Sequence, residues 1–363
     1  MIFSCNFVLY STLLFRYFFV LTPMSFLKSK KYYAVLLVLL VIVVLLPFVR
    51  GRKKFITNSG VVWTTEYHIT YESKVDLNDS IQKVLAAVDK SASPYNKQSL
   101  VTAINEGRSD VPDAFFVKLY NKALEVNKAS DGLYDPTVMP LVNAWGFGYK
   151  SGKLPSQQQL DSIIAFVGMQ HTKLENGKVV RDDSRVQFDF SSIAKGMACD
   201  EVAAMLARNG ARNYMVEIGG EVVAHGVNDR GTPWHVSVDM PVPDGYNGPV
   251  HSNAVVLSID SLAVATSGSY RKFKEVNGKK VSHIVNPKTG ESSTSTLLSV
   301  SIVAPDCMSA DAWATACMAM GLESTQAMME NNKTLGVMTI STDDAGNFIV
   351  WSNQRFADLM IQE

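Results

Sequence analysis

The sequence predicts an α+β fold: one compact domain of mixed strands and helices behind an N-terminal membrane helix. From about Phe55 onward, short β-rich runs alternate with helical stretches, without a long linker, a low-complexity tract or a fixed-period repeat. The strongest local strand signal is a hairpin centred on Asn277-Gly278, a pair that suits a type I′ turn. Before the domain, residues 32–49 carry no charge, which predicts the membrane helix.

The uncharged run from Tyr32 to Val49 predicts an anchor that is not cleaved. At 1.5 Å per residue it would span roughly 27 Å, which is enough to cross a bilayer core. The run exceeds the apolar core of a signal peptide, and no small-residue cleavage site follows it. Basic residues flank both ends, so the positive-inside rule does not decide the orientation. Residues 1–31 precede the anchor, and a start at Met24 would leave residues 1–23 out of the mature chain.

The net charge of zero averages two different regions. The chain has 34 Lys and Arg against 34 Asp and Glu, but residues 1–54 hold eight basic residues and no acid. The remaining residues therefore hold 26 basic and 34 acidic groups, a balance of −8. This charge argues against a nucleic-acid-binding protein. The four cysteines show no CxxC pair and no metal-ligand spacing, so we interpret them as packing residues.

Within residues 55–363, periodicity and turn residues predict the elements in order. Strands are predicted at Val61–Tyr71, Tyr214–Ile218, Glu221–Ala224, Tyr270–Val276, Lys279–Val285 and Leu297–Ala304. Helices are predicted at Ile81–Ser91, Pro112–Ala129, Pro155–Val167, Ala194–Arg208 and Ser309–Met320. Glycine follows the last three helices, at Gly168, Gly210 and Gly321, as is common beyond a helix C-terminus.

Two segments offer ligands for a metal and a phosphate. Asp311 and Thr315 are four residues apart, so they share one helix face, and their oxygens suit Mg²⁺ or Ca²⁺. The alternative is that Asp311 only favours the helix dipole. In Asp189-Phe-Ser-Ser-Ile-Ala-Lys-Gly196, a strand end feeds a helix through small residues, and Lys195 adds a positive charge. The alternative there is an ordinary strand-to-helix connection.

Two further segments combine glycine, aromatic and titratable residues. The segment 131–148 places aromatic and glycine residues beside Asp135 and Thr137, as in a loop that holds a flat heterocycle or in a well-packed turn. His283 begins the run His-Ile-Val-Asn-Pro-Lys-Thr-Gly290, where it is either a catalytic base or a structural histidine.

Taken together and in this order, these motifs resemble the ApbE family, the FAD:protein FMN transferases. The resemblance runs from about Thr57 to Trp351. The matching segments are Tyr67-His-Ile-Thr-Tyr71, Ser93-Pro-Tyr95, Gly132-Leu-Tyr-Asp-Pro-Thr-Val138, Trp145-Gly-Phe-Gly148, Asp189–Gly196, Glu217-Ile-Gly-Gly220, Ala265-Thr-Ser-Gly-Ser-Tyr270, His283–Gly290 and Ala310-Asp-Ala-Trp-Ala-Thr315.

The resemblance implies a Mg²⁺-dependent reaction that attaches the FMN half of FAD to a Thr or Ser hydroxyl of a target protein and releases AMP. It implies that Asp311, Thr315 and the backbone carbonyl of Ser192 hold Mg²⁺, and that His283 is the general base. The residues expected to bind FAD are Trp63, Tyr95, Leu133, Tyr134, Asp135, Asp189, Lys195 and Val285. Leu133, Tyr134 and Val285 would act largely through their backbone.

One departure from the family pattern affects the FAD site. Family members usually carry Met-Gly-Thr where this chain has Trp63-Thr-Thr65, so Trp63 either crowds the site or stacks on a ring. Asp260-Ser-Leu-Ala-Val-Ala-Thr266 faintly resembles an acceptor site, but we interpret it as scaffold.

The resemblance also gives expectations for location and partners. The catalytic domain is expected in the periplasm, anchored in the inner membrane, with secreted or membrane redox subunits as acceptors and without nucleic acid. Two alternatives stay open: an FAD pyrophosphatase, in which water replaces the acceptor hydroxyl, and a catalytically silent flavin-binding protein.

Overall fold

The computed structural model describes residues 54–148, 154–241, 253–269, 273–276, 279–292 and 296–361. Its strands are β1 Lys54–Val62, β2 Thr65–Ser73, β3 Thr172–Glu175, β4 Lys178–Arg181, β5 Tyr214–Ile218, β6 Glu221–His225, β7 Trp234–Asp239, β8 Asn253–Ile259, β9 Leu262–Gly268, β10 Phe273–Val276, β11 Lys279–Ser282, β12 Leu297–Ala304, β13 Gly336–Thr342 and β14 Phe348–Ser352. Its helices are α1 Asn78–Ala92, α2 Leu100–Asn105, α3 Ala114–Ala129, α4 Met139–Ala144, α5 Gln157–Ile164, α6 Ala194–Arg208, α7 Cys307–Met320, α8 Leu322–Met329 and α9 Gln354–Ala357.

Eight of these strands form one sheet, in the order β1-β2-β5-β6-β9-β12-β13-β14. The pairings from β2 to β14 are antiparallel. The other strands form three ribbons, β3–β4, β7–β8 and β10–β11. Strands and helices are thus mixed along the chain around a largely antiparallel sheet, and this confirms the predicted α+β class.

The sheet is covered on both faces because successive residues of a strand point to opposite sides. On β12, Ile302 packs into the cluster that contains Ala310 and Ala314 of α7. The next residue, Val303, packs with Trp234 of β7 and belongs to the cluster on the other side. Helices α6 and α7 therefore lie on one face of the sheet, and the β7–β8 ribbon lies on the other.

The helices mostly confirm the sequence predictions. Helix α6 has the predicted bounds, and α7 begins two residues earlier than expected, at Cys307. The earlier start follows from Asp306, which is the N-cap: its Oδ1 accepts a hydrogen bond of 2.7 Å from the Ser309 N–H. Helix α7 buries residues on all sides, including Asp311, which is 2% exposed. Cys199, Cys307 and Cys317 are buried and free, as expected of packing residues.

The strand predicted at Val61–Tyr71 is wrong in one respect, because a tight turn interrupts it. Strands β1 and β2 are neighbours in the sheet, and Trp63 and Thr64 join them. Both residues have positive φ, 49° and 63°. Two consecutive residues with positive φ form a type I′ turn, which usually carries Asn or Gly. Neither is present, so the alternating pattern concealed the turn.

The predicted membrane helix at residues 32–49 lies outside the described residues. So do the rest of the N-terminal segment and the Asn277-Gly278 turn, although β10 and β11 on either side of that turn pair as predicted. Where the structure describes the chain, no helix is both long and apolar enough to cross a membrane.

Candidate functional site

A pocket of about 640 Å³ opens between the β1–β2 turn, the end of α1 and the start of α6. Trp63 contributes from the turn, Tyr95 from the loop after α1, and Lys195 from the first turn of α6. Tyr95 is 64% exposed, so its ring is accessible to a ligand. The fold therefore brings together three residues predicted to bind FAD that are as many as 132 positions apart in sequence.

Lys195 lies between two buried carboxylates. Its Nζ donates a hydrogen bond to Oε1 of Glu221 at the start of β6, and it lies 3.8 Å from Oδ1 of Asp311 on α7. Burial alone would lower the pKa of Lys195, but the carboxylates of Asp311 and Glu221 outweigh it and raise the pKa. Lys195 is therefore a fixed positive charge between the pocket and α7.

Helices α6 and α7 approach each other closely at Gly196. The N–H of Gly196 donates a 3.0 Å hydrogen bond to Oδ2 of Asp311. A Cβ atom at Gly196 would lie 2.3 Å from the carbonyl oxygen of Cys307, so only glycine fits at this crossing. The Asp311 side chain is thus fixed by α6 as well as by its own helix.

Thr315 and Ser192 flank this crossing. Thr315 lies one turn after Asp311, and its Oγ1 is 3.2 Å from Oγ of Ser267 on β9. Ser192 precedes α6, and its Oγ donates a 3.2 Å hydrogen bond to the hydroxyl oxygen of Tyr134. Burial raises the pKa of Tyr134, and nearby Asp311 adds to the shift. Tyr134 therefore connects two of the segments singled out in the sequence, 131–148 and 189–196.

Asp135 is bound by its own loop and by two neighbouring segments. Its carboxylate accepts hydrogen bonds from the Thr137 hydroxyl at 2.6 Å, from the Met169 N–H at 2.9 Å and from Nδ2 of Asn127 at 3.2 Å. Burial raises its pKa, and these hydrogen bonds oppose the rise. The side chain thus holds the loop that presents Leu133 and Tyr134, and its own contact with FAD stays a prediction.

The strand end predicted at Asp189 is not formed: the segment before α6 has only an isolated bridge between Gln187 and Val138. Asp189 accepts a 2.8 Å hydrogen bond from the Ser191 N–H at Oδ1, and burial raises its pKa. Its negative charge in turn adds to the rise in the pKa of Tyr95 that burial causes. The carboxylate of Asp189 therefore lies close enough to Tyr95 to influence its hydroxyl, and the FAD roles of both residues stay predictions.

The loop that carries His283 packs against the aromatic loop. The rings of His283 and Phe147 meet edge to face with centroids 6.4 Å apart. The Trp145 indole donates a 2.8 Å hydrogen bond to the Gly290 carbonyl. Val285 is buried at 6% exposure in a cluster with Leu141, and the contact of its backbone with FAD stays a prediction. These contacts place the two segments 131–148 and 283–290 side by side.

Two of the three predicted metal ligands lie on α7. The Asp311 carboxylate and the Thr315 hydroxyl are one turn apart there, and Ser192 precedes α6; carboxylate, hydroxyl and carbonyl oxygens are of the kind that Mg²⁺ prefers. Only one oxygen of Asp311 is engaged by the Gly196 N–H, so the other retains coordination capacity. No group of three His, Cys, Asp or Glu side chains in the described ranges could hold a metal ion. A magnesium site here would therefore rest on one carboxylate and neutral oxygens.

Three polar residues near the site were missed by the sequence reasoning. Glu221 is paired with Lys195, Ser267 lies beside Thr315, and Asp200 accepts hydrogen bonds from the first N–H groups of α7. Glu221 directly follows Gly219-Gly220, a turn that places the next side chain at a strand start, and this signal could have identified it. No local pattern marks the other two.

Comparisons with known proteins identify the family of the chain. The sequence profile of the ApbE family matches residues 63–339. The chain belongs to the ApbE family. It is 34% identical over 297 residues to an FAD:protein FMN transferase of Vibrio cholerae, covering 79% of this chain and 87% of that protein. It is 32% identical over 306 residues to an FAD:protein FMN transferase of Escherichia coli, covering 81% and 85%.

Solved structures with a similar fold belong to the same family. The flavin transferase ApbE from Vibrio cholerae superposes with a TM-score of 0.75 at 31% identity, covering 85% of this chain and 99% of that one. The α+β fold of the ApbE family is thereby confirmed.

The ApbE pattern also explains the β1–β2 turn. Where family members usually carry glycine, this chain has Thr64 with a φ of 63°. A β-branched residue is rarely found at such an angle, because its side chain crowds the backbone. The turn is therefore locally strained at the edge of the pocket, which Trp63 and Thr64 both line.

Asp200 gives this ApbE chain a pH-dependent contact between α6 and α7. Its Oδ1 and Oδ2 accept 2.9 Å hydrogen bonds from the N–H groups of Cys307 and Met308. Burial nevertheless raises its pKa from 3.8 to about 6. The folded protein therefore binds this proton more tightly than the unfolded chain does between pH 4 and pH 6, and the associated stability is lost as the pH rises through 6.

We expect the wild type to lose stability relative to Asp200→Asn as the pH rises from 4 to 7. The difference between their free energies of unfolding should fall by up to about 3 kcal/mol, because the pKa shift is about two units. Urea titrations of both proteins at each pH measure it. A difference that rises with pH would contradict the assignment.

Proposed function

We propose that this chain transfers FMN from FAD to a Thr or Ser hydroxyl of a target protein, with Mg²⁺, and releases AMP. Transfer of FMN from FAD to a protein is the activity of the relatives that it matches along most of its length. The observation that carries the proposal for this site is the position of Lys195. It lines the pocket and also lies 3.8 Å from Asp311, so one cation connects a nucleotide-sized pocket with the oxygen ligands of α7.

The charged residues account for the phosphate chemistry. Asp311, Thr315 and the Ser192 carbonyl would hold Mg²⁺, which, when bound, neutralises charge that builds up on the phosphate oxygens. Lys195 stays protonated beside two carboxylates and presents its ammonium to the same oxygens. The body of the protein is acidic, so these local charges must attract the anionic dinucleotide.

The remaining predicted residues bind and orient FAD. Tyr95 and Trp63 present rings at the pocket, and ring stacking suits a flavin or adenine. The backbone of Leu133 and Tyr134 would contact the dinucleotide from a loop that Asp135 holds in place. Asp189 would contribute beside Tyr95. Val285, buried by its side chain, would contribute through its backbone.

His283 is the proposed general base. The acceptor hydroxyl oxygen attacks the FMN-side phosphorus, the pyrophosphate bond to AMP breaks, and the hydroxyl proton passes to an imidazole nitrogen of His283. Imidazole titrates near neutral pH, which suits this transfer. Phe147 packs against the ring edge to face, a contact that limits the orientations the imidazole can adopt.

The location is part of the proposal. The uncharged residues 32–49, with basic residues on both sides, support an anchor in the inner membrane, and the family resemblance supports a periplasmic catalytic domain. Protease treatment of spheroplasts would remove the catalytic domain if it faces the periplasm and leave it intact if it faces the cytoplasm.

The function is tested with the full chain, FAD, Mg²⁺ and an acceptor protein that carries a Thr flavinylation site. We expect flavin fluorescence that stays with the acceptor on a denaturing gel, together with one AMP for each flavin attached. Free FMN and AMP without labelled acceptor would show an FAD pyrophosphatase instead. Binding of FAD without AMP release would show a silent flavin-binding protein.

Replacing His283 by Ala is expected to slow FMN transfer about 100-fold at saturating FAD and Mg²⁺, because the acceptor hydroxyl loses its base. The affinity for FAD should change less than about threefold, since the imidazole acts on the acceptor. Initial rates of acceptor labelling measure the first effect and fluorescence titration the second. His68→Ala is the control, because His68 is exposed on β2 and pairs with Glu217. Near-normal transfer by His283→Ala would show that another group is the base.

A further inference from the structure

Glu221 is a buried acid whose position the backbone determines. It is 3% exposed and begins β6 immediately after the turn at Gly219 and Gly220, whose φ angles are 65° and 99°. Its backbone pairs with Ile218 of β5, and its carbonyl accepts a 3.3 Å hydrogen bond from Sγ of Cys199 on α6. The sheet and α6 therefore hold the residue from two sides.

The carboxylate of Glu221 is used on one side only. Its Oε1 accepts the hydrogen bond from Nζ of Lys195, while its Oε2 is buried without a hydrogen-bond partner among the described residues. An acid buried in this way is costly unless it serves a charged partner, and Lys195 is the cation paired with it here. The pair is thus maintained at a cost to folding stability.

Lys195 needs such a partner because its side chain is long and flexible. Four rotatable bonds separate its ammonium from α6, and 31% of the side chain is exposed. Asp311 attracts the ammonium from 3.8 Å, beyond hydrogen-bond distance, and has to serve the cation site as well. Glu221 is the group that fixes where the ammonium lies.

We infer that Glu221 is a positioning residue that holds the Lys195 ammonium at the edge of the pocket, where it meets the phosphate oxygens of a dinucleotide. This inference rests on the proposed function, because it takes the pocket to bind FAD. Glu221 acts through Lys195 and does not itself touch the ligand. Removing Glu221 should therefore matter only while Lys195 is present.

A double-mutant cycle tests this dependence in the full chain. FAD affinity is measured by fluorescence titration in EDTA, which prevents turnover, for the wild type, Glu221→Gln, Lys195→Met and the double variant. Gln keeps the size of the side chain and removes its charge. We expect Glu221→Gln to weaken FAD binding about tenfold, as for one charge-assisted hydrogen bond, and the double variant to bind no more weakly than Lys195→Met.

Glu201→Gln is the matched control, because Glu201 lies on the same helix as Lys195 and forms a surface pair with Lys118 at 2.6 Å. Its affinity for FAD should stay within about twofold of the wild type, since a surface pair contributes little. Thermal unfolding of each variant shows whether it is folded at the temperature of the titration.

Three results would overturn the inference. Additive losses in the double variant would show that Glu221 acts independently of Lys195. Unchanged or tighter FAD binding by Glu221→Gln would show that the acid does not position the ammonium and only repels the phosphates. A wild type that neither binds FAD in EDTA nor labels its acceptor with Mg²⁺ present would overturn the proposed function as well, whereas additive losses in a protein that still labels its acceptor would leave that function intact.

Discussion

Replacing Asp311 by Asn is expected to lower the rate of FMN transfer by about 10³-fold or more at a fixed Mg²⁺ concentration. Asp311 is the single carboxylate in the proposed donor set, and stabilisation of phosphate charge by a cation contributes several kcal/mol to such reactions. Asn keeps an oxygen that can accept the hydrogen bond from Gly196 N–H, so the α6–α7 crossing should survive. Acceptor labelling measured across a Mg²⁺ titration separates weaker metal binding from a slower reaction.

Asp306→Asn is the control for this variant. Asp306 caps the same helix, and Asn is as good an N-cap as Asp, so stability and transfer rate should stay close to wild type. Equal activity of Asp311→Asn and the wild type at limiting Mg²⁺ would show that the cation, if one is used, binds elsewhere.

Replacing Gly196 by Ala is expected to lower the free energy of unfolding by about 4 kcal/mol or more. The new Cβ would lie 2.3 Å from the carbonyl oxygen of Cys307 and 2.8 Å from Cα of Met308. Both are backbone atoms, so the clash can be relieved only by separating α6 from α7, and severe overpacking of this kind is among the most destabilising changes. Chemical denaturation measures the loss.

Helix propensity alone predicts the opposite result, because Ala is favoured over Gly in a helix by roughly 1 kcal/mol. The sign of the effect therefore distinguishes packing from propensity. Ala204→Gly, at an exposed position of the same helix, is the control and should cost about 1 kcal/mol. A Gly196→Ala protein as stable as the wild type would mean that the two helices do not cross this closely.

The sequence was most informative where local patterns determine the structure. Helix α6 and strand β12 have the predicted bounds, because periodicity, β-branched residues and the glycine after α6 are all local signals. The β1–β2 turn was missed because Trp63 and Thr64 adopt positive φ without Asn or Gly. Backbone strain of this kind leaves no mark on an alternating pattern.

The site was only partly predictable for a related reason. The spacing of Asp311 and Thr315 predicts a shared helix face, and the structure has both on α7. The contacts that complete the site join distant residues: Gly196 with Asp311 across 115 positions, and Lys195 with Glu221 across 26. Such pairs depend on how elements pack, so the family resemblance, rather than the local pattern, brought the site residues together.

The order of strands has a consequence for how the chain is made. From β1 to β14, the neighbours in the main sheet follow one another in the order of synthesis, so the sheet can grow by adding each new strand to its last edge. The longest interval between the synthesis of two neighbouring strands comes early, between β2 and β5, where helices α1 to α6 are synthesised. The pocket residues Trp63, Tyr95 and Lys195 are thus synthesised long before α7 leaves the ribosome. Asp311 and Thr315, on α7, follow only near the end of translation.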